Sequence, residues 1–188
     1  MTTTIADRQP TKTAPMESAA TKIFLIGMMG SGKSFWAQAL RKKLKVPAYD
    51  LDHLVEIMEE KTIAEMFEED GEEYFRKEEA KMLRLFKEKK QYVLSCGGGT
   101  PCFNDNMQWM NRQGVTIWID EPVEILVERL LQDQGRRPLI RKLNERELLS
   151  FLEAKLAERE PFYSQAQHRV SGDRLSEQYL VRLIREHV

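Results

Sequence analysis

Short runs of mostly apolar residues alternate along this chain with longer segments in which apolar residues recur every three or four positions. The first pattern predicts strands, of which the run at 21–27 suits a strand buried on both faces of a sheet, and the second predicts helices with one buried face. The predicted strands are 21–27, 46–50, 91–95, 114–120 and 167–172. The predicted helices are 34–44, 50–60, 62–70, 71–90, 122–132, 144–160 and 176–188.

Strands that alternate with helices favour a parallel sheet covered on both faces. We therefore expect an α/β fold, a single-domain doubly wound parallel sheet of about five strands, with ligands at the carboxyl ends of the strands. In the helix at 144–160, Asn144 and Glu147 occupy capping-box positions, and we expect Pro161 to end it. The segment QDQGRRPLI at 132–140 breaks the helical pattern, so we expect a mobile loop there.

Length and charge limit the classes of protein that this chain can be. Its 188 residues suffice for one α/β domain, and we expect a disordered tail at 1–20 and the domain at 21–188. With 29 Lys and Arg against 30 Asp and Glu, the net charge of −1 supplies no general attraction for nucleic acid or an anionic membrane. We therefore expect neither partner, and a monomer that binds small molecules.

The cysteines and the apolar runs bear on the compartment. Cys96 and Cys102 lack the partners that a zinc site needs, and reduced thiols in a cytoplasmic protein are the simpler interpretation, although their spacing would allow a disulfide. No apolar run reaches the ~18 residues of a membrane span.

The segment GMMGSGKS at 27–34 has the spacing of a phosphate-binding loop and stands between a predicted buried strand and a predicted helix. Its glycines let successive backbone N–H groups surround phosphate oxygens, and the helix N-terminus adds partial positive charge. We expect ATP or GTP with Mg²⁺, with Lys33 at the β- and γ-phosphates and Ser34 giving an oxygen to the metal. A glycine turn with an exposed lysine is the structural alternative.

Two carboxylates and a glycine run follow two other predicted strands. In YDLDHL, one of Asp50 and Asp52 could hold a magnesium-bound water while the other accepts a proton from an attacking hydroxyl. Either could instead cap the next helix. In SCGGGTP, Gly97–Gly99 could bring bare backbone close to a small polyhydroxylated ligand, or form a tight turn. The glycines and Asp52 should face the same crevice.

Two arginines lie in predicted helices. Arg76 can pair with Glu72 or Glu79 along its helix, and Arg159 suits a helix C-terminus. Spacing alone favours these structural roles for both.

Six segments, in order and approximate spacing, resemble the shikimate kinase family over residues 21–188. They are GMMGSGKS, YDLDHL, DGEEYFRKEE, CGGGT, GRRPLI and AEREPFYSQA. Each segment after the first is weak evidence for the family when taken alone, whereas the six segments in this order are specific to it. The resemblance implies a P-loop NTPase fold like that of nucleoside monophosphate kinases. It also implies transfer of the ATP γ-phosphate to the 3-hydroxyl of shikimate in aromatic amino-acid biosynthesis.

The resemblance also implies a role for each matching residue. Arg137 would be the lid arginine that closes on ATP, although Arg136 beside it leaves that choice open, and Arg129 would lie against adenine. The catalytic residues would be Lys33, Asp52 and Arg137. The ATP-binding residues would be Gly30, Ser31, Gly32, Lys33, Ser34 and Arg137, with Ser34 and Asp50 at Mg²⁺. The shikimate-binding residues would be Asp52, Arg76, Gly97, Gly98, Gly99 and Arg159.

Two other classes of protein match part of this pattern. A gluconate-type or nucleoside monophosphate kinase would share Lys33 and the lid, but would not need both the paired aspartates and the glycine run. A regulatory nucleotide switch should carry a guanine-reading N-K-x-D, which the sequence lacks. Phe35 and Trp36 depart from the resemblance, because the family usually has small or β-branched residues after the loop serine.

Overall fold

The computed structural model describes residues 21–132 and 140–187. Within them, five parallel strands form one sheet in the order β2-β3-β1-β4-β5. The strands are Lys22–Ile26 (β1), Ala48–Asp50 (β2), Tyr92–Ser95 (β3), Val115–Asp120 (β4) and His168–Ser171 (β5). The predicted α/β fold with a parallel sheet is confirmed. The expected tail at 1–20 lies outside the described residues, as do Arg136 and Arg137 of the expected lid.

Eight α-helices in the described ranges connect and cover the strands. They are Lys33–Leu44 (α1), Leu51–Glu59 (α2), Ile63–Glu69 (α3), Gly71–Leu85 (α4), Asn106–Gln113 (α5), Val123–Gln132 (α6), Glu145–Tyr163 (α7) and Glu177–His187 (α8). None of these helices combines the length and apolar character needed to cross a bilayer.

Two hydrophobic cores bury the two faces of the sheet. Along β1, Phe24 and Ile26 join residues of α5, α6 and α7 on one face. Ile23 and Leu25 join residues of α1 and α8 on the other. Side chains on a strand alternate between faces, so a strand covered on both sides is apolar at successive positions, as β1 is from Ile23 to Ile26. A separate small core joins α2, α3 and α4 beside the sheet.

The ends of three neighbouring strands lie side by side. Ser95 at the end of β3 pairs in register with Leu25 of β1 and with Asp50 of β2. The segments that follow these strands are the phosphate-binding loop, the glycine run and the start of α2. The sheet therefore brings the three candidate segments together at one edge.

Two helix ends and one additional helix differ from the sequence prediction. The predicted helix at 71–90 ends at Leu85 and continues as a 3-10 turn, Phe86–Glu88. Helix α5, of eight residues, is absent from the predicted elements. Pro161 lies inside α7 and does not end it, so the prediction that the helix stops there is wrong. The helix continues to Tyr163, whose ring is fully buried against Trp118 with the ring centroids 5.6 Å apart.

Candidate active site

The loop between β1 and α1 has the backbone of a phosphate cradle. Gly30 and Gly32 adopt left-handed conformations, with φ of 81° and 84°, that other residues rarely adopt. The buried ammonium of Lys33 donates to the carbonyls of Gly27 at 3.0 Å and Met28 at 2.8 Å. The lysine is therefore held inside the loop and not exposed on the surface, which argues against the simple glycine turn. Ser31, between the two glycines, is also buried.

Three side-chain oxygens meet beside this loop. The Ser34 hydroxyl donates to Asp50 Oδ2 at 2.6 Å and lies 3.2 Å from the Ser95 hydroxyl. Asp50 also caps α2, because its Oδ1 accepts a hydrogen bond from the His53 amide at 3.5 Å. The capping role and a metal role therefore involve different oxygens of one carboxylate.

Oxygen donors with one carboxylate suit Mg²⁺, which usually keeps waters and substrate phosphates as its remaining ligands. Across residues 21–132 and 140–187, no cluster of three or more His, Cys, Asp or Glu side chains is arranged to hold an ion. Ser34 and Asp50 thus fit a metal that arrives with a nucleotide better than a closed site made by protein alone.

Asp52, in the first turn of α2, has an environment suited to proton transfer. Burial raises the pKa of its carboxyl, the charges of Glu79 and Asp50 raise it further, and Lys33 and Arg76 lower it, with a net value of about 7. A carboxyl with this pKa can accept a proton near neutral pH and can also release it.

The glycine run is explained by space and not by backbone conformation. None of its three residues has a left-handed φ. Each lies directly against a side chain from a different helix, where a Cβ atom would collide. The collisions would be between Gly97 and Asp52 Oδ1 at 2.5 Å, Gly98 and Arg159 Nη1 at 2.8 Å, and Gly99 and the Arg76 Cζ at 2.7 Å. The glycines therefore allow these three side chains to converge on one backbone segment.

Arg76 makes the ion pairs that its helix position suggests and also reaches the cleft. Its guanidinium contacts Glu79 at 2.9 Å and Glu72 at 3.1 Å, and its side chain is only 11% exposed. The same group lies 4.5 Å from the Phe103 ring centroid and against Gly99. The local pairing is therefore present, but it does not confine the guanidinium to the helix surface.

Arg159 is placed differently from Arg76. Within the described ranges, no carboxylate lies within ion-pair distance of its guanidinium. Its Nη1 lies 3.8 Å from the Met28 sulphur and beside Gly98. A partly buried cation without a carboxylate partner is suited to an anionic ligand.

Two residues of this region were not singled out from the sequence as site residues. Glu79 is fully buried; it accepts hydrogen bonds from Arg76 and from the Thr100 hydroxyl at 2.5 Å, and burial raises its pKa. Tyr163 donates to the Gly98 carbonyl at 2.5 Å. Glu79 stands three residues after Arg76, and Tyr163 lies in the segment AEREPFYSQA. Neither sequence pattern shows that these side chains are buried.

These groups line one cleft of about 770 Å³. Its walls include Asp52, Arg76, Gly97–Gly99 and Arg159, with Phe67 and Ile140 as apolar neighbours. The cleft is large enough for a small ring compound. It presents two arginines close to the phosphate cradle, together with the carboxyl groups of Asp52, Glu56 and Glu68.

Comparison with known proteins identifies the family. The family model described as shikimate kinase matches residues 29–188. The chain belongs to the shikimate kinase family. The Bacteroides thetaiotaomicron shikimate kinase is 40% identical over 160 residues, which cover 85% of this chain and 91% of that protein. The Bacteroides fragilis shikimate kinase is 41% identical over 156 residues, covering 83% and 87%.

Solved structures of the family share the fold. The crystal structure of the Bacteroides thetaiotaomicron shikimate kinase has a TM-score of 0.83 at 38% identity, with 88% of this chain and 98% of that chain covered. A shikimate kinase from Acinetobacter baumannii in complex with shikimate has a TM-score of 0.76 at 28% identity, covering 88% and 91%. A Sinorhizobium meliloti gluconokinase, at 15% identity and a TM-score of 0.52, shares the fold alone.

The remaining features of this shikimate kinase family member lie at the margin of the site. Arg129 donates to the Gly30 carbonyl at 3.2 Å and pairs with Glu121 at 3.1 Å. Its expected contact with adenine remains a prediction. Phe35, directly after Ser34, is 68% exposed. Cys96 and Cys102 are free thiols, so the disulfide that their spacing would allow is not formed.

Proposed function

We infer that this chain transfers the γ-phosphate of ATP to the 3-hydroxyl of shikimate, giving shikimate 3-phosphate and ADP. The observation that carries this inference is the convergence of Asp52, Arg76 and Arg159 on the glycine run beside a phosphate cradle. The two arginines and the carboxyl suit an acidic acceptor with a reacting hydroxyl, and the adjacent cradle suits the phosphates of a nucleotide.

For the nucleotide, we propose that the loop amides of residues 30–34 and the ammonium of Lys33 bind the β- and γ-phosphates. Ser34 and Asp50 would hold Mg²⁺, which neutralises charge on the phosphate oxygens when it is bound. Arg137 would close over the phosphates; it lies outside the described residues, and its role remains a prediction.

For the transfer itself, we propose that Asp52 accepts the proton of the 3-hydroxyl as that oxygen attacks the γ-phosphorus. The bond between the γ-phosphorus and the bridging oxygen breaks, and ADP leaves with the electron pair. Lys33 stabilises the charge that gathers on the transferring oxygens. The pKa of Asp52, near 7, supports this role because the carboxylate is available at neutral pH while its conjugate acid stays accessible.

For the acceptor, we propose that Arg76 and Arg159 bind the carboxylate and that the backbone of Gly97–Gly99 meets the ring hydroxyls. An arginine can donate two parallel hydrogen bonds to one carboxylate, whereas a lysine offers a point charge. With a net charge of −1, the chain has no general attraction for a small acid, so fixed local cations must provide it.

The test of the function is ADP release from ATP and Mg²⁺ with a panel of acceptors. We expect turnover with shikimate, and only background hydrolysis with gluconate, AMP, UMP or no acceptor. Excess EDTA should abolish the shikimate reaction, and added Mg²⁺ should restore it. Turnover of gluconate or a nucleoside monophosphate in preference to shikimate would overturn the assignment.

We further propose that the chain acts as a cytoplasmic monomer without nucleic-acid or membrane partners. The near-zero net charge supports the absence of nucleic-acid and membrane partners, because it gives no broad field for polyanions. Light scattering coupled to gel filtration checks the oligomeric state, and a dimer mass across micromolar concentrations would contradict it.

A further inference from the structure

A tyrosine hydroxyl lies where the acceptor cleft meets the phosphate loop. Tyr163 is the last residue of α7, one helical turn after Arg159, so both side chains project from the same side of the helix. Its ring is fully buried against Trp118. The helix continues past Pro161 to bring Tyr163 to this position.

The hydroxyl of Tyr163 contacts three parts of the site. It donates to the Gly98 carbonyl at 2.5 Å, and its oxygen lies 3.7 Å from the sulphur of Met28 in the phosphate loop. The Arg159 guanidinium lies beside this hydroxyl, with its Nη1 3.8 Å from the same sulphur. The hydroxyl thus links the glycine run to the loop, beside the Arg159 guanidinium.

From this geometry we propose that Tyr163 is a positioning residue for the acceptor: its hydroxyl fixes Gly98 and, through it, the place of the Arg159 guanidinium. The inference rests on the proposed function, in which Arg159 binds the shikimate carboxylate. Arg159 lies so close to Gly98 that a Cβ atom there would be 2.8 Å from Nη1. A shift of this backbone segment therefore changes the space in which the guanidinium sits.

The protonation state of the hydroxyl agrees with a donor role. Burial raises the pKa of Tyr163 well above its ordinary value, although the Arg159 guanidinium acts in the opposite direction. The hydroxyl keeps its proton at neutral pH and can donate it to one acceptor, which is the Gly98 carbonyl. It is therefore a fixed structural donor and not an acid or base in the transfer.

The test is steady-state kinetics of Tyr163→Phe. Shikimate is varied at saturating ATP in one series, and ATP is varied at saturating shikimate in the other. We expect KM for shikimate to rise about 3- to 10-fold, the effect of one lost hydrogen bond, while KM for ATP and kcat change less than about 2-fold. Tyr92→Phe is the matched control. Tyr92 is equally buried, but its hydroxyl has no hydrogen-bond partner among the described residues, so its removal should leave both KM values unchanged.

A double-mutant cycle with Arg159→Ala separates positioning from general destabilisation. If Tyr163 acts through Arg159, Tyr163→Phe should raise KM for shikimate much less in the Arg159→Ala background than in wild type. Provided that wild type turns over shikimate, any of three results would overturn the inference. They are fully additive effects of the two substitutions on KM for shikimate, an unchanged KM for shikimate in Tyr163→Phe, and equal increases in KM for shikimate and ATP. Absence of wild-type turnover would instead overturn the proposed function and this inference with it.

Discussion

Replacing Asp52 by asparagine should stabilise the protein at high pH and leave its stability little changed at low pH. The carboxyl is buried near Glu79 and Asp50, which disfavours its ionised form and raises its pKa from 3.8 to about 7. Asparagine has nearly the same shape and never carries the charge. The substitution therefore removes the free-energy cost of ionising this residue inside the fold.

The sign and size of the effect follow from proton linkage. Below pH 3.8 the carboxyl is protonated in both folded and unfolded states, so it has no net effect. Between 3.8 and about 7 the folded state binds more protons, so stability falls as pH rises, and above 7 the full cost remains. At ~1.36 kcal/mol per pH unit the full cost is about 4 kcal/mol as an upper bound, of which about 2–3 kcal/mol develops between roughly pH 5 and 8.5.

Urea unfolding of wild type and Asp52→Asn at pH 5 and pH 8.5 measures this difference. The unfolding free energy of the variant relative to wild type should increase by up to about 2–3 kcal/mol between the two pH values. Titration of other residues occurs in both proteins and largely cancels. A relative stability that is the same at both pH values would refute the raised pKa and, with it, the reasoning that makes Asp52 a base near neutrality.

Three other predictions test separate parts of the site. Lys33→Met should lower kcat at least about 10²-fold while a thermal melt shows the fold retained, and normal turnover would contradict the phosphate-loop role. Asp52→Asn should bind ATP in a calorimetric titration yet lose most of kcat, whereas a wild-type rate would leave Asp52 without a catalytic role. Gly98→Ala should raise KM for shikimate about 10-fold by displacing Arg159, with KM for ATP unchanged; equal effects on both would point to a general distortion.

The sequence predicted the sheet because short apolar runs that alternate with helical segments favour a parallel sheet covered on both faces. The chain from Lys22 to Ile26 is a strand with both faces covered, and the Asn144 and Glu147 capping box begins α7 as expected. The phosphate cradle followed from spacing, since its chemistry depends on local backbone. These features are set within a few neighbouring residues.

What the sequence could not show depends on contacts between distant segments. The alternatives for Arg76 stayed open because its pairing with Glu79 and its approach to Gly99 are both true, and only the second requires the fold. The glycine run was expected either to admit a ligand or to form a tight turn, and the sequence could not show which side chains pack against it. Its contact with a ligand stays a prediction. The sequence predicts a helix end at Pro161, because the burial of Tyr163 two residues later is invisible in local sequence.

The kinetics of shikimate and its methyl ester test most directly the claim that fixed arginines recognise an acidic acceptor. The ester keeps every hydroxyl, removes the negative charge and adds one methyl group. Wild type should prefer shikimate by about 10- to 100-fold in kcat/KM, and Arg159→Ala should lose most of that preference. Arg146→Ala, at an exposed arginine of the same helix, should keep it. An Arg159→Ala enzyme that discriminates between acid and ester as strongly as wild type would contradict the account.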